Sequence, residues 1–421
     1  MQAMQTKTMN PELRAALDRP KSSITPEQRR IAQEYFLRAK NDPSLPFQTR
    51  MGMLHHAVLA NPFNANVLEM YGWQLSQMKV VEYAGFSMLE RAFRSDMDDP
   101  LDVNTEKGHW IATLVGRYNH TLHKYDTARK FFLKAYQSKV NNNDCNALQL
   151  ATCITSFPTS VKNALKHISE FHKYMDMVLG KSELNLPPNV TYDFIILSAF
   201  NFELFYEANI RECMHKYYLL TVKVFPNLIY EARILSMNKQ KLGIASGFFG
   251  KNNSVIADFR GMLTRLDRNR FNFVFINVLQ QGHPNEFPWD HERRIDIMTD
   301  TPDWIDRARM MIESHELDLI LYLDSTMSSH VQQLMMSKLA RVQAVSHGHP
   351  VTTGIPKEIM NYFVSWGAAE LPTAQDHYTE ELILLDANQM HQYYDHRIDD
   401  EGKSVITNEP YQQFKRIYFE T

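Results

Sequence analysis

Residues 340 to 356 run Ala340-Arg341-Val342-Gln343-Ala344-Val345-Ser346-His347-Gly348-His349-Pro350-Val351-Thr352-Thr353-Gly354-Ile355-Pro356. The short apolar-alternating run from Val342 to Ser346 breaks abruptly into glycine, histidine, proline and threonine. That is how a buried strand ends at a ligand-facing edge. The loop carries chemistry suited to a phosphate or a sugar. Gly348 and Gly354 permit close backbone approach, Thr352 and Thr353 offer hydroxyls, His349 exchanges a proton near neutral pH, and Pro350 limits backbone freedom. Structural turns use the same residue types, so the loop alone does not separate a site from a turn.

Outward from this stretch, the pattern is α/β. Lys241 to Phe249 reads as a first strand, Asp258 to Leu266 as a helix and Phe271 to Leu279 as a second, nearly continuously apolar strand. Pro302 to His315 is expected to be a helix with Thr301 as N-cap and Pro302 in its first turn. Leu317 to Leu323 forms a third strand, His330 to Leu339 a helix and Arg341 to Ser346 a fourth strand. Tyr362 to Ser365 and Leu382 to Leu385 continue the alternation, with a short helix around Ala374 to Tyr378 between them. Strand, helix, strand in this order implies right-handed crossovers and a parallel sheet covered on both faces. Ligands of such sheets bind beyond the carboxyl ends of the strands, which selects the loops Gly247 to Ser254, Gln280 to Asp290, Asp324 to Ser329 and His347 to Gly354.

Several of these segments resemble the protein O-GlcNAc transferase family and its bacterial tetratricopeptide-containing relatives. They are Gly348-His349-Pro350-Val351-Thr352-Thr353-Gly354-Ile355-Pro356, then Tyr362-Phe363-Val364-Ser365 and His377-Tyr378-Thr379-Glu380-Glu381-Leu382, and, earlier, Ser246-Gly247-Phe248-Phe249-Gly250-Lys251-Asn252-Asn253-Ser254-Val255. The resemblance covers about residues 241 to 386. It implies a Rossmann-like first lobe of the two-domain GT-B architecture, UDP-N-acetylglucosamine as donor and co-substrate with no metal or other cofactor, and serine or threonine of a protein acceptor. It also implies that Gly348, His349, Pro350, Thr352, Thr353 and Gly354 line the sugar and acceptor cleft. Members carry a histidine where Asn253 stands, and asparagine hydrogen-bonds a sugar but exchanges no proton near neutral pH. Many have tyrosine at the position of His349. Asp324 opens a loop similar to one of the family's, where it either orients a substrate hydroxyl or caps the next helix.

Upstream, residues 1 to 25 read as a loosely held arm and residues 26 to 236 as helix after helix. Thr25, Pro26 and Gln28 form a capping-box start. Tyr71-Gly72, Leu75, Ala84 and Met88 sit at the offsets of a degenerate tetratricopeptide-like repeat. Gly116, Ala128, Phe132 and Ala135 repeat the pattern, and Leu54, Ala57 and Pro62 match the end of an earlier unit. Small residues let paired helices approach while aromatic ones fill the groove. Asn141 to Asp144 and Leu186-Pro187-Pro188 mark joints. The histidine pairs His55 with His56, His120 with His123 and His167 with His172 lack a metal-site pattern and are expected to be ordinary side chains.

The whole chain has 421 residues, enough for two domains, since single cores stop growing near ~250 to 300 residues. With 45 basic and 48 acidic residues, net charge −3 and no basic block, nucleic acid and anionic membranes find no electrostatic partner. Cys145, Cys153 and Cys213 are odd in number and lack paired spacing, as expected in a reducing compartment. The amino terminus shows no apolar leader, and apolar runs such as Phe273 to Leu279 fall short of the ~20 residues of a membrane helix, so a cytoplasmic location is expected.

The expected organisation is therefore an α plus α/β chain: an arm (1 to 25), a helical-repeat domain (26 to 236), a Rossmann-like lobe (237 to 386) and a tail (387 to 421) with a helix over Pro410 to Phe419. The tail is too short for a second doubly wound domain. Transfer on this reading needs a nucleotide-sugar-binding lobe from a partner chain, a second copy or a longer polypeptide. The alternatives are a non-catalytic protein-binding scaffold derived from such a transferase, or the front fragment of a split enzyme.

Overall fold

The computed structural model describes residues 9–155, 158–188, 190, 209–233, 241–249, 254–279, 293–324, 327–346, 351–368 and 370–385. The chain divides into two compact units, residues 1–153 with 183–188, and residues 154–182 with 189–421. The described part of the first unit is helical: α1 (Pro11–Leu17), α2 (Pro26–Asn41), α3 (Phe47–Ala60), α4 (Ala65–Ser76), α5 (Glu82–Ala92), α6 (Glu106–Thr121), α7 (Tyr125–Tyr136) and α8 (Cys145–Thr152). The capping box that opens α2 is present, with Thr25 Oγ1 accepting from Gln28 N at 3.2 Å and Gln28 Oε1 accepting from Thr25 N at 2.9 Å.

Consecutive helices pair where small residues lie under large ones. A Cβ added at Gly85 would stand 2.3 Å from Ser76 N and 2.6 Å from Gly72 O, so α4 and α5 meet at backbone distance. In the next pair, Gly116 of α6 lies against the ring of Phe132 of α7, 2.6 Å from where its Cβ would be. Leu54, Ala57, Met88, Ala128, Phe132 and Ala135 are wholly buried. The offsets read in the sequence thus fall on the helix contacts.

In the second unit, α9 (Val161–Leu179) and α10 (Arg211–Val224) precede, among the described residues, seven strands and three α-helices. The two helices group by contact with the sheet, and Tyr218 of α10 lies in the sheet's core. The strands are β1 (Lys241–Ser246), β2 (Asn272–Leu279), β3 (Arg294–Met298), β4 (Leu319–Tyr322), β5 (Val342–Ser346), β6 (Tyr362–Trp366) and β7 (Glu381–Leu385). The helices are α11 (Ser254–Arg265), α12 (Trp304–Glu313) and α13 (Ser329–Met335). All seven strands pair in parallel, in the order β3-β2-β1-β4-β5-β6-β7.

Strand alternation assigns each helix its face. Phe273 and Phe275 of β2 pack with Val255, Phe259 and Leu263 of α11, whereas Val274, Ile276 and Val278 pack with Ile305, Ala308 and Ile312 of α12 and with α13. A doubly covered sheet buries both sets, which is why β2 shows no polar alternation. Each such fully buried side chain contributes about 2 kcal/mol. Arg309 of α12 is 4% exposed, its guanidinium donating to Ser337 Oγ at 3.1 and 2.9 Å and to Asp306 at 3.0 Å.

Several elements depart from the sequence reading: β1 ends at Ser246 rather than Phe249, α11 begins at Ser254 rather than Asp258, and α13 ends at Met335 rather than Leu339. Strand β3 was not expected, because only Ile295 and Ile297 of its residues point inward, while Arg294 and Asp296 are charged and Met298 is exposed, as an edge allows. Helix α12 begins at Trp304 with Asp303 as its N-cap residue, not at Pro302 with Thr301. Thr301 instead forms a turn in which its carbonyl accepts from Trp304 N at 3.2 Å. The expected tail helix, Pro410 to Phe419, lies outside the described residues. Among the described residues no helix is long and apolar enough to cross a membrane.

Two glycine substitutions separate backbone contact from helix propensity. Gly85→Ala is expected to destabilise the first unit by about 1 to 3 kcal/mol through overpacking. Gly52→Ala, with nothing within 4 Å of the added Cβ, is expected to stabilise it by about 0.5 to 1 kcal/mol. Urea unfolding followed by circular dichroism measures both. Equal midpoints for the two variants would refute the close α4/α5 crossing.

Candidate functional site

Strand order reverses between β1 and β4. Crossovers from β1 proceed outward to β2 and β3, while β4 returns to the opposite side of β1, so the connections leave the carboxyl ends of these two strands in opposite directions. The crevice of a doubly wound sheet opens at this point. β1 ends at Ser246 and Gly247, and β4 ends at Tyr322, followed by Leu323 and Asp324. Leu323 N donates to Ala245 O at 3.0 Å, carrying the ladder one step past the strand and fixing where Asp324 falls.

Asp324 is wholly buried. Its Oδ2 accepts from Gly247 N at 3.0 Å, whereas among the described residues Oδ1 is buried without a hydrogen-bond partner. Burial pushes the carboxyl up to about 7, against the Gly247 N–H and the Ser246 side chain, which favour the charged form. A carboxyl poised there either holds or releases a proton at neutral pH. Gly247 is part of the same arrangement, because a Cβ there would lie 3.1 Å from Ser328 Oγ and 3.4 Å from Asp324 Oδ2.

The helix-capping alternative for Asp324 does not hold. Ser328 is the N-cap of α13, its hydroxyl accepting from Val331 N at 3.3 Å. A cap must lie next to its helix, and Asp324 is a full turn upstream.

Thr352 and Thr353 converge on a second buried carboxylate, Glu380, which is 1% exposed. Thr352 Oγ1 donates to Glu380 Oε2 at 2.6 Å, Thr353 N donates to Oε1 at 2.8 Å, and Thr353 Oγ1 donates to Oε1 as well. Thr352 Oγ1 also accepts from Thr379 N at 3.1 Å. These hydroxyls fasten the loop after β5 to the start of β7.

Gly354 has a φ of +74°, and a Cβ there would stand 2.2 Å from the carbonyl carbon and oxygen of Met214 in α10. Its carbonyl accepts from His215 Nδ1 at 2.9 Å. Next to this loop a cavity of about 410 Å³ opens between Arg211 and His215 of α10 and Pro356, Lys357 and Thr379.

The structure therefore gathers Thr352, Thr353 and Gly354 into one cluster and places Asp324 in another, and no described hydrogen bond links the two. Gly348, His349, Pro350 and Asn253 lie outside the described residues. Sequence reasoning placed Gly247 and Ser328 in loops at strand ends and Glu380 in a resembling motif, but gave none of the three a role. The pair Glu380-Glu381 before a strand was the available signal. Alternation turns Glu380 inward and Glu381 outward, where it pairs with Lys357 at 2.7 Å. Among the histidines, His55 Nδ1 lies 3.1 Å from the Tyr71 hydroxyl and His123 Nδ1 lies 2.9 Å from that of Tyr125.

No protein-family model matches the chain, and no curated protein matches its sequence. Among solved structures, it is similar to a lysine-to-methionine mutant of the O-GlcNAc transferase of Thermobaculum terrenum, at 12% identity and a TM-score of 0.38. The likeness covers 90% of this chain and 58% of that one, so the chain spans little more than half the length of that protein.

Two outcomes follow from this geometry. A folded-state value of about 7 lies above the ordinary 3.8, so the protonated carboxyl contributes stability that is fully present below pH 4 and is lost as pH rises through 7. The displacement corresponds to roughly 4 kcal/mol. Asp324→Asn, which keeps the Gly247 bond, is therefore expected to raise Tm at pH 8 relative to the parent and to leave the two nearly equal at pH 4. A Tm difference that does not change between these values would contradict a displaced Asp324. Gly354→Ala is expected to cost about 2 to 4 kcal/mol in thermal unfolding, combining left-handed strain with collision against α10.

Proposed function

We propose that the chain is a glycosyltransferase-like protein of the O-GlcNAc transferase kind, whose sheet unit forms the acceptor side of a transfer site and whose helical unit presents a protein or peptide acceptor. One observation carries this reading: the buried, half-satisfied carboxyl of Asp324 at the β1/β4 reversal, where a doubly wound sheet receives its ligand. A hydroxyl-rich ligand supplies what Asp324 Oδ1 lacks. The resemblance of residues 241 to 386 gives the donor as UDP-N-acetylglucosamine and the acceptor as serine or threonine.

On this reading the reaction is a direct inverting displacement. The acceptor oxygen attacks the anomeric carbon as the bond to the UDP oxygen breaks, and the acceptor hydroxyl gives up its proton. Asn253 cannot take that proton, whereas Asp324, with a value of about 7, holds or releases one at neutral pH. Asp324 orients the hydroxyl and receives its proton. On this reading the donor sugar's hydroxyls also meet Asp324, while the UDP moiety binds away from it. Asn253, where the family's histidine stands, favours a second reading, a protein-binding scaffold that retains the fold without transfer.

Calorimetric titration of the chain with UDP-N-acetylglucosamine and with UDP, in parent and Asp324→Asn forms at pH 7.5, tests the first reading. Saturable binding of the nucleotide sugar is expected, weakened about tenfold in the variant, as loss of a hydrogen bond to a charged group implies. UDP binding should change little. No heat at millimolar ligand, or equal affinity in the two forms, would leave the scaffold reading.

A further inference from the structure

The helical unit holds a cleft of about 810 Å³ that the transferase reading does not use, bounded by α1, α5, the turn after α5, and α7. Arg14, Arg91, Arg94, Lys124, Lys130 and Lys134 line it. Of the three carboxylates along the same walls, Asp96 pairs with Arg94 at 2.7 Å and Glu90 accepts from Asn119 at 3.4 Å, which leaves Asp18. Arg14, Arg91, Lys124, Lys130 and Lys134 make no ion pair among the described residues.

Two of these cations are also held in place. Arg91 Nε is buried without a hydrogen-bond partner, its guanidinium 5.2 Å from the Phe63 ring. Lys134 Nζ lies 5.7 Å from the Phe93 ring and 5.8 Å from the Phe131 ring. Aromatic faces orient a cation without neutralising its charge. Gathering unpaired cations in one concavity is self-repulsive, and an anion relieves it.

We propose that this cleft binds a compact polyphosphate anion. The charge points to several anionic groups in one ligand, because a single phosphate would leave most of the cations unmatched. The shape points to a compact one. The cations converge from three helices on one cavity, within the ~300 to 1,000 Å³ of small-molecule sites, whereas an acidic peptide would need them strung along a groove. Burial and the neighbouring charge of Lys130 hold Lys134 below its usual range, in keeping with a site that lacks its counter-charge. The proposal stands apart from the transfer site, which the transferase reading assigns to the other unit.

Calorimetric titration of the full chain with inorganic tripolyphosphate at low salt tests it. The expected result is one-site binding that weakens as salt is raised, since salt screens charges that line an open cleft. Affinity should fall at least tenfold in a Lys130→Gln/Lys134→Gln double variant and fall also in Arg91→Gln. It should remain unchanged in Arg38→Gln, an exposed α2 residue outside the cleft. Lys130→Gln alone serves if the double variant loses its helical circular dichroism. Absence of saturable binding, equal affinity in the cleft variants, or an equal loss in Arg38→Gln would overturn the proposal. So would binding of a glutamate-rich peptide where tripolyphosphate shows none.

Discussion

The parallel ladder between β1 and β4 is the contact on which the second unit depends, because it joins strands that are distant in sequence and turns the strand order around. Leu242 to Ala245 pair with Leu319 to Tyr322, and the helix α11, strands β2 and β3 and helix α12 all lie in the chain between them. Once this pairing forms, crossovers on either side of it diverge and the sheet acquires a crevice at one edge. The alternation of β2 then sends Phe273 and Phe275 to α11 and Val274, Ile276 and Val278 to α12, closing both faces over apolar cores. The carboxyl edge is the part that this arrangement leaves for chemistry.

Two buried carboxylates, one just after β4 and one just before β7, show how the same group serves different ends. Glu380 is surrounded by donors from Thr352 and Thr353, and its oxygens are occupied within the chain. It ties two loops together. Asp324 is met by the Gly247 N–H and the Ser246 side chain, and among the described residues one of its oxygens is buried without a partner. An unsatisfied polar atom in the interior costs stability, and folds retain such a cost where a ligand or a proton will use the atom. The distinction rests on hydrogen-bond accounting, since both side chains are equally buried.

In the helical unit the governing constraint is backbone approach. Gly72 and Gly85 let α4 and α5 touch, and Gly116 gives Phe132 its place. Larger residues at these positions would push each pair apart and expose apolar surface along the helices. Gly354 does the same for the sheet unit against α10. Its importance as a glycine comes from packing and a positive φ, although the sequence offered it as part of a ligand loop.

The sequence by itself determined the alternation of elements after Lys241, the capping-box start of α2 at Thr25, and the small-under-large offsets from Leu54 to Ala135. Each of these is a local pattern, set by side-chain periodicity or by a hydrogen bond a few residues away. It also marked Asp324, Thr352, Thr353 and Gly354 as residues worth attention. Only the tertiary structure decided what they do. The partners of Thr352 lie 27 and 28 residues along the chain, those of Asp324 lie 77, and those of Gly354 lie 139. The edge strand β3 escaped notice for a related reason. With only Ile295 and Ile297 turned inward, its pattern is too short to stand out until β2 pairs with it. Strand order and the satisfaction of buried polar atoms are properties of contacts between distant segments, which periodicity within a segment does not encode.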